Sequence, residues 1–221
     1  MCTVTNISNS SESSSFRSLS NHGIFIRYNE AIPILQKIKI HGEPTVDSFI
    51  VSRNPFGLPT SFKGLESAST LGNIFVKTSS GIRYCEKSEI LQGHDIVSKY
   101  KVILSRSTAE HAGEPNKDGT FSVISTCCIL KPYEICSDSY LVIFVADFEQ
   151  VAKSYLSYMK TKFYRFLLLL SLTSISISRD KFQFIPIQDF NHPYTDDDLN
   201  QKYGLSDEEI AFIDELIKEK V

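Results

Sequence analysis

"YLVIFVADFEQVAKSYLSYMKTKFYRFLLLLS", Tyr140 to Ser171, changes its periodicity partway along. Tyr140 to Ala146 is apolar throughout and rich in β-branched and aromatic residues, the composition of a buried strand. From Asp147 the apolar positions recur at helical intervals. Val151, Tyr155, Tyr158, Met159, Lys162 (through its stem), Phe166 and Leu169 fall on one stripe, which predicts one long helix from Asp147 to Ser171. Its uninterrupted apolar part is only Phe166 to Leu170. Arg165 on one side, and Ser171, Ser174, Ser176 and Ser178 on the other, dilute the rest. A bilayer span needs about 20 mainly apolar residues, so the run reads as a buried helix.

Strands and helices continue to mix on both sides of this stretch. "YKVILS" (Tyr100 to Ser105) is a second strong strand, and "GNIFVKTSSGIRYCE" is a hairpin with strands Ile74 to Lys77 and Ile82 to Cys85. Shorter strands are expected at "GIFIRY" (Gly23 to Tyr28), at Phe121 to Ser125 and at "KFQFIPI" (Lys181 to Ile187). Helices are expected over Glu30 to Ile40, with Asn29 as cap and Pro33 in the first turn, and over "KSEILQGHDIVSKY", with Ser88 as cap. The chain closes on "YTDDDLNQKYGLSDEEIAFIDELIKEKV", two helices broken at Gly204. Ser206 and Glu209 make a capping box, and Ile210, Ile213, Leu216 and Ile217 give an apolar stripe. Without a regular βαβ repeat the class is α+β: a mixed sheet with flanking helices and a C-terminal helical pair. Residues 8 to 20 hold eight serines, so residues 1–20 are expected to be a disordered lead. Residues 21–194 then form the main domain and 195–221 an acidic helical tail.

The net charge of −3 is unevenly spread. Residues 195–221 carry nine acids against three lysines, a balance of −6, which leaves +3 on the remainder. A mildly basic body is compatible with binding nucleic acid. Five cysteines without a Cys-x-x-Cys pair, and the absence of a signal peptide, point to a reducing cytoplasm. The cysteines themselves read as small buried hydrophobes.

Several enzyme classes lose their usual marks. No strand–Gly-rich turn–helix unit for S-adenosylmethionine is present, and no Walker loop. Asp147-Phe148-Glu149 lacks the lysine of a metal-nuclease motif, and Asp180-Lys181-Phe182 lacks the second acid. The five histidines form no pair at zinc-ligand spacing. The stretch that invites a chemical reading is "VSRNPFGLPTSFKG", Val51 to Gly64. Its Asn54-Pro55-Phe56 resembles the Asn/Asp-Pro-Pro-aromatic loop of DNA amino-methyltransferases, but Phe56 stands where the second proline belongs. Two readings remain. In one, Arg53, Lys63 and Lys77 reach phosphates or guanine edges, Asn54 pairs with adenine, and Phe56 or Phe62 stacks or wedges. In the other, the segment is a surface loop whose Phe56 and Leu58 plug the core. A second candidate is the long polar loop Ser107 to Thr120, of a length that is often functional.

Taken in order, "GIFIRYNEAIPILQKI", "VSRNPFGLPTSFKG", "YKVILSR…AEHAGE", "YLVIF…YMKTKFYRFLLLL" and "FQFIPIQDFNHPYTDDDLNQKYGLSDEEIAFID" resemble a known group. It is the C-terminal half of bacterial restriction–modification adenine methyltransferases of the combined endonuclease–methyltransferase (type IIG-like) kind. Members of that group carry Pro-Phe-Gly-Leu-Arg-Thr-Asn-Phe where this chain has Pro55 to Phe62, and Phe-Val-Pro-Leu-Gln-Asp-Phe where it has Phe184 to Phe190. The tryptophan usual at the end of that region is Tyr194 here.

The resemblance implies a target-recognition-domain-like fold that binds double-stranded DNA. It implies no catalytic residues and no cofactor in this chain. S-adenosylmethionine would belong to a methylase/endonuclease core on a separate chain or an upstream domain. The expected DNA-binding residues are Arg53, Asn54, Phe56, Thr60, Phe62 and Lys63 in the first loop, with Arg106 and His111 at the second. Pro59 stands in place of an arginine of the group, so Arg53 or Lys63 would have to serve for it. Two alternatives accompany this expectation. One is a docking module acting through the Ile210 to Ile217 stripe, and the other is a cryptic nuclease.

Overall fold

The computed structural model describes residues 2–7, 12–17, 23–70, 73–110 and 114–219. It is α+β, with eight strands in three small sheets and five α-helices among these residues. Strands β1 (Cys2–Ile7) and β2 (Glu12–Arg17) form an antiparallel pair, where a disordered lead was expected. Asn29 holds the pair down: its Nδ2 donates to Val4 O at 3.0 Å and Ser13 O at 3.2 Å, and its Oδ1 accepts from Ser15 Oγ at 2.9 Å. Asn29 is thereby taken from the capping role expected of it. Helix α1 (Ala31–Ile40) starts one residue later than expected, with Glu30 at the N-cap position and no side-chain cap.

The body is layered. The outer sheet has the order β4 (Gly81–Cys85), β3 (Ile74–Thr78), β7 (Glu134–Cys136), with β3 antiparallel to β4 and parallel to β7. The inner sheet is antiparallel, in the order β6 (Cys127–Leu130), β5 (Tyr100–Ser105), β8 (Tyr140–Ala146). Ile103, Leu130 and Val142 from the inner sheet meet Val76, Cys85 and Ile135 from the outer sheet in a smaller core. Val102, Leu104, Leu141 and Ile143 point the other way, into the main core beneath the helices. A register shift between Val102 and Ile103 takes two β8 residues past one partner step. Ile143 and Phe144 therefore both enter the main core, as a β-bulge requires.

The long helix expected from Asp147 to Ser171 is two helices. Helix α2 (Glu149–Lys160) ends at Thr161, whose backbone is extended (ψ 152°), and α3 (Lys162–Ser171) begins there. Thr161 Oγ1 accepts the N–H of Tyr164 and so caps α3. The Asp196 carboxylate takes the next two free N–H groups, Lys162 at 3.0 Å and Phe163 at 2.8 Å. Arg165, fully buried, turns back to the end of α2 and donates to Lys160 O and Thr161 O. The break lets α3 bury every side chain from Phe163 to Ser171. No helix among the described residues is long and apolar enough to cross a membrane.

Three further elements differ from expectation. "GIFIRY" and "KFQFIPI" make no strand; apart from a 3₁₀ turn (Arg179–Phe182), "KFQFIPI" carries only the isolated bridge Thr45–Pro186. These irregular segments still seat Ile26, Phe182 and Ile185 in the main core. Phe121 to Ser125 is likewise limited to isolated bridges, Phe121 with Ile217 and Ile124 with Thr108. "KSEILQGHDIVSKY" forms a 3₁₀ turn (Lys87–Glu89) capped by Glu86 rather than a helix. Gly93, at φ +69°, bends it away.

The C-terminal helices α4 (Asp196–Tyr203) and α5 (Asp207–Leu216) form as expected, with Gly204 left-handed between them and capping boxes at Thr195 and Ser206. Leu199, Tyr203, Ile213 and Ile217 belong to the main core.

Candidate nucleic-acid interface

The loop Val51 to Gly64 is seated on the outer layer. Asn54 adopts φ +53° and Gly57 φ +82°, with Gly57 N–H donating to Asn54 O at 3.1 Å to close a tight turn. The turn lies hard against residues 91–93. A Cβ on Gly57 would come within 2.5 Å of Leu91 Cβ, and one on Gly93 within 2.3 Å of Pro55 O. Leu91 N–H donates to Phe56 O at 3.1 Å, and Gln92 Nε2 donates to Asn54 O. The turn drives Phe56, with no exposed surface, and Leu58 into the smaller core. The plug reading therefore holds for Phe56, and a role in contacting DNA is corrected: the ring is buried in that core with no exposed surface. Asn54 Oδ1 is buried without a hydrogen-bond partner, so it does not present an edge to a base either.

The remaining loop residues line an open groove made of two adjoining clefts of about 360 and about 610 Å³, which share Thr60 and Ser79. The first holds Arg53 and Arg106 among the hydroxyls of Ser105, Ser107, Thr126 and Ser139. The second holds Lys63, Arg83, Phe62 and Ser80. Across both, four cationic side chains face two carboxylates, Asp138 and Glu66. Five separate segments supply these residues: the loop from Arg53 to Glu66, the β3–β4 hairpin, the end of β5 with the residues just after it, Thr126 before β6, and the β7–β8 connection.

Asp138 ties three of those segments together. Its Oδ1 accepts from Arg106 Nη1 at 2.9 Å and from Asn54 N–H at 2.9 Å, and its Oδ2 from Arg53 Nη2 at 3.1 Å. Partial burial pushes the carboxyl pKa up. The hydrogen bonds from Arg53 and Asn54 and the Arg106 charge outweigh that and hold it below the ordinary carboxylate range. The two arginines differ. The Arg106 side chain is 15% exposed and fixed, whereas Arg53 is 76% exposed.

Of the residues expected at a DNA surface, the fold thus brings together Arg53, Thr60, Phe62, Lys63 and Arg106. Phe62 is half-buried against the smaller core, with an edge in the groove. His111 lies outside the described residues. Lys77 stands over the Tyr140 ring, 5.7 Å from its centre. Asp138, Ser79 and Arg83 were missed. Arg83 sits in the hairpin the sequence did reveal, two residues past its turn, where a basic residue is a readable signal. Asp138 carries none, being remote in sequence from the loop it organises.

A further cleft of about 460 Å³ lies between the end of α1 and Phe184. Its one carboxylate, Glu43, is taken up by neighbours: Lys202 Nζ donates to Glu43 Oε1 at 2.5 Å and to Gln188 Oε1 at 2.6 Å, and Tyr203 OH to Glu43 Oε2 at 2.5 Å. Lys39 is the one cation lining this cleft, whereas the groove gathers four, Arg53, Lys63, Arg83 and Arg106. No family model matches the chain, and no curated protein or solved structure matches it.

Proposed function

We propose that this chain is the sequence-recognition part of a restriction–modification adenine-N6 DNA methyltransferase/endonuclease. It would bind duplex DNA in the cytoplasm and leave methyl transfer to a core, on a partner chain or another domain, that holds S-adenosylmethionine. The observation that carries this reading is the groove. Arg53, Arg106, Lys63 and Arg83 stand among hydroxyls on one face, an arrangement suited to phosphate oxygens. The ordered resemblance of the sequence to such recognition regions supports the same choice. The docking alternative finds less support, because Ile213 and Ile217 of the C-terminal stripe are already spent inside the main core.

The test is a fluorescence-anisotropy titration with random-sequence duplexes. Binding should weaken with salt, and log Kd against log salt should have a slope of about 2.7 in magnitude, from the phosphates within reach of Arg53, Lys63 and Arg83 at roughly 0.9 each. Absence of binding at about 50 mM salt, where such contacts are strong, would overturn the reading. Incorporation of label from S-adenosylmethionine into DNA by the chain alone would overturn its non-catalytic part.

A further inference from the structure

Arg53 and Arg106 share one cleft but differ in their surroundings. Arg106 is nearly buried, and its guanidinium is fixed on Asp138 Oδ1. Arg53 rests on the other oxygen, Oδ2, at 3.1 Å, with its side chain largely in solvent. If Arg53 swings out, Asp138 still accepts from Arg106 and from Asn54 N–H. The carboxylate is not left bare, and the three segments it joins stay joined. Releasing Arg53 costs one solvent-exposed ion pair, a weak contact. A planar guanidinium pairs with a phosphate in the same forked manner as with a carboxylate. Thr60, Ser79, Ser105 and Ser107 surround the place into which Arg53 would turn.

Resting on the DNA-binding reading, we propose that Asp138 is an internal stand-in for a DNA phosphodiester. Arg53 is held by Asp138 in the free protein and exchanges to a backbone phosphate in the complex, while Arg106 keeps Asp138 throughout. Asp138 thereby competes with DNA for Arg53. It lowers non-specific affinity and makes Arg53 available only where a phosphate is correctly placed.

The exchange predicts non-additive substitutions, measured on the full chain. Arg53→Ala should reduce the salt slope by about 0.9, one phosphate, without changing the melting temperature. Asp138→Asn should tighten duplex binding roughly threefold at low salt, the worth of one exposed pair. That gain should vanish in the Arg53→Ala background. A gain of the same size with or without Arg53 would reduce Asp138 to a general charge effect and overturn the exchange. So would weaker binding by a folded Asp138→Asn protein, which would make Asp138 itself a reader of bases.

Should Asp138→Asn fail to fold, the wild-type chain still decides the matter. On titration with duplex DNA, the Arg53 Nε–Hε NMR signal should move and that of Arg106 should stay. The reverse pattern, or movement of both, overturns the proposal. If wild-type protein binds no duplex at all, the DNA-binding reading has failed. Binding with additive substitutions defeats only the exchange.

Discussion

Phe56 shows how one side chain separates packing from recognition. The ring has no exposed surface and fills the smaller core between the two sheets. Phe56→Ala should therefore destabilise the protein by about 3–5 kcal/mol, the usual range for an emptied aromatic site. It should leave the Kd of the folded fraction for duplex DNA unchanged. Urea denaturation alongside anisotropy checks both, and weakened binding at an unchanged urea midpoint would return the ring to the DNA surface. Its neighbour Asn54 is bound by a different constraint. The left-handed backbone there suits Asn better than most residues, and its N–H is needed by Asp138. Residue type pointed to base pairing, but backbone conformation explains the asparagine.

At the scale of elements, the junction of α2 and α3 depends on Arg165. Its side chain is fully buried, with no carboxylate partner among the described residues. It donates to Lys160 O and Thr161 O at the end of α2, and its Nη1 reaches Lys218 O at 2.6 Å. One side chain thus fastens a helix end and the segment after α5. Arg165→Met keeps much of the volume but strands these carbonyls, and should cost roughly 2–3 kcal/mol. Limited proteolysis should then release the C-terminal segment first; cleavage elsewhere would assign that segment's anchorage to Ile213 and Ile217 alone.

Elements with strong local signals were legible in the sequence: β5, β8, the β3–β4 hairpin, and α4 and α5, the latter with its capping box at Ser206. "GIFIRY" and "KFQFIPI" have strand composition, yet a strand exists only if a partner edge is available, and that is decided far along the chain. The break at Thr161 was hidden for a related reason, since its cap is completed by Asp196 from beyond α3. The groove follows the same rule. Arg53, Thr60, Lys63 and Arg106 could be named from polar loops, whereas Asp138 reaches Arg53 across 85 residues.

For the whole molecule, buried acids of high pKa dominate the pH response. Burial pushes the thiols of Cys85 (to about 11), Cys128 and Cys136 above their ordinary 9.0, and the phenols of Tyr155, Tyr158, Tyr164 and Tyr203 above 10.0. In the unfolded chain these groups ionise at their ordinary values, so the folded state holds more protons above pH 9. The stability they contribute is complete below that pH and lost above it. Lys101 runs the other way. Burial lowers it to about 8, although three backbone carbonyls hold its ammonium, so alone it costs stability below pH 8, and that cost is relieved as the pH rises from about 8 to 10.5. Three thiols and four phenols outweigh one lysine. The urea midpoint should fall above pH 9 and more steeply above pH 10, and Cys136→Ala should flatten the first part of that fall. A midpoint still rising at pH 10 would mean that Lys101 prevails.

The inner sheet has a core on each face, while the outer sheet rests on the smaller core alone. Such a molecule opens in stages. The β3–β4 hairpin and the 51–64 loop can part from β5 and β8 as one cooperative unit, giving up the smaller core, the β3–β7 pairing and the bonds of Arg53 and Asn54 to Asp138. The inner sheet, α2 and α3 stay closed meanwhile on the main core, so the groove comes apart before the helical layer unfolds.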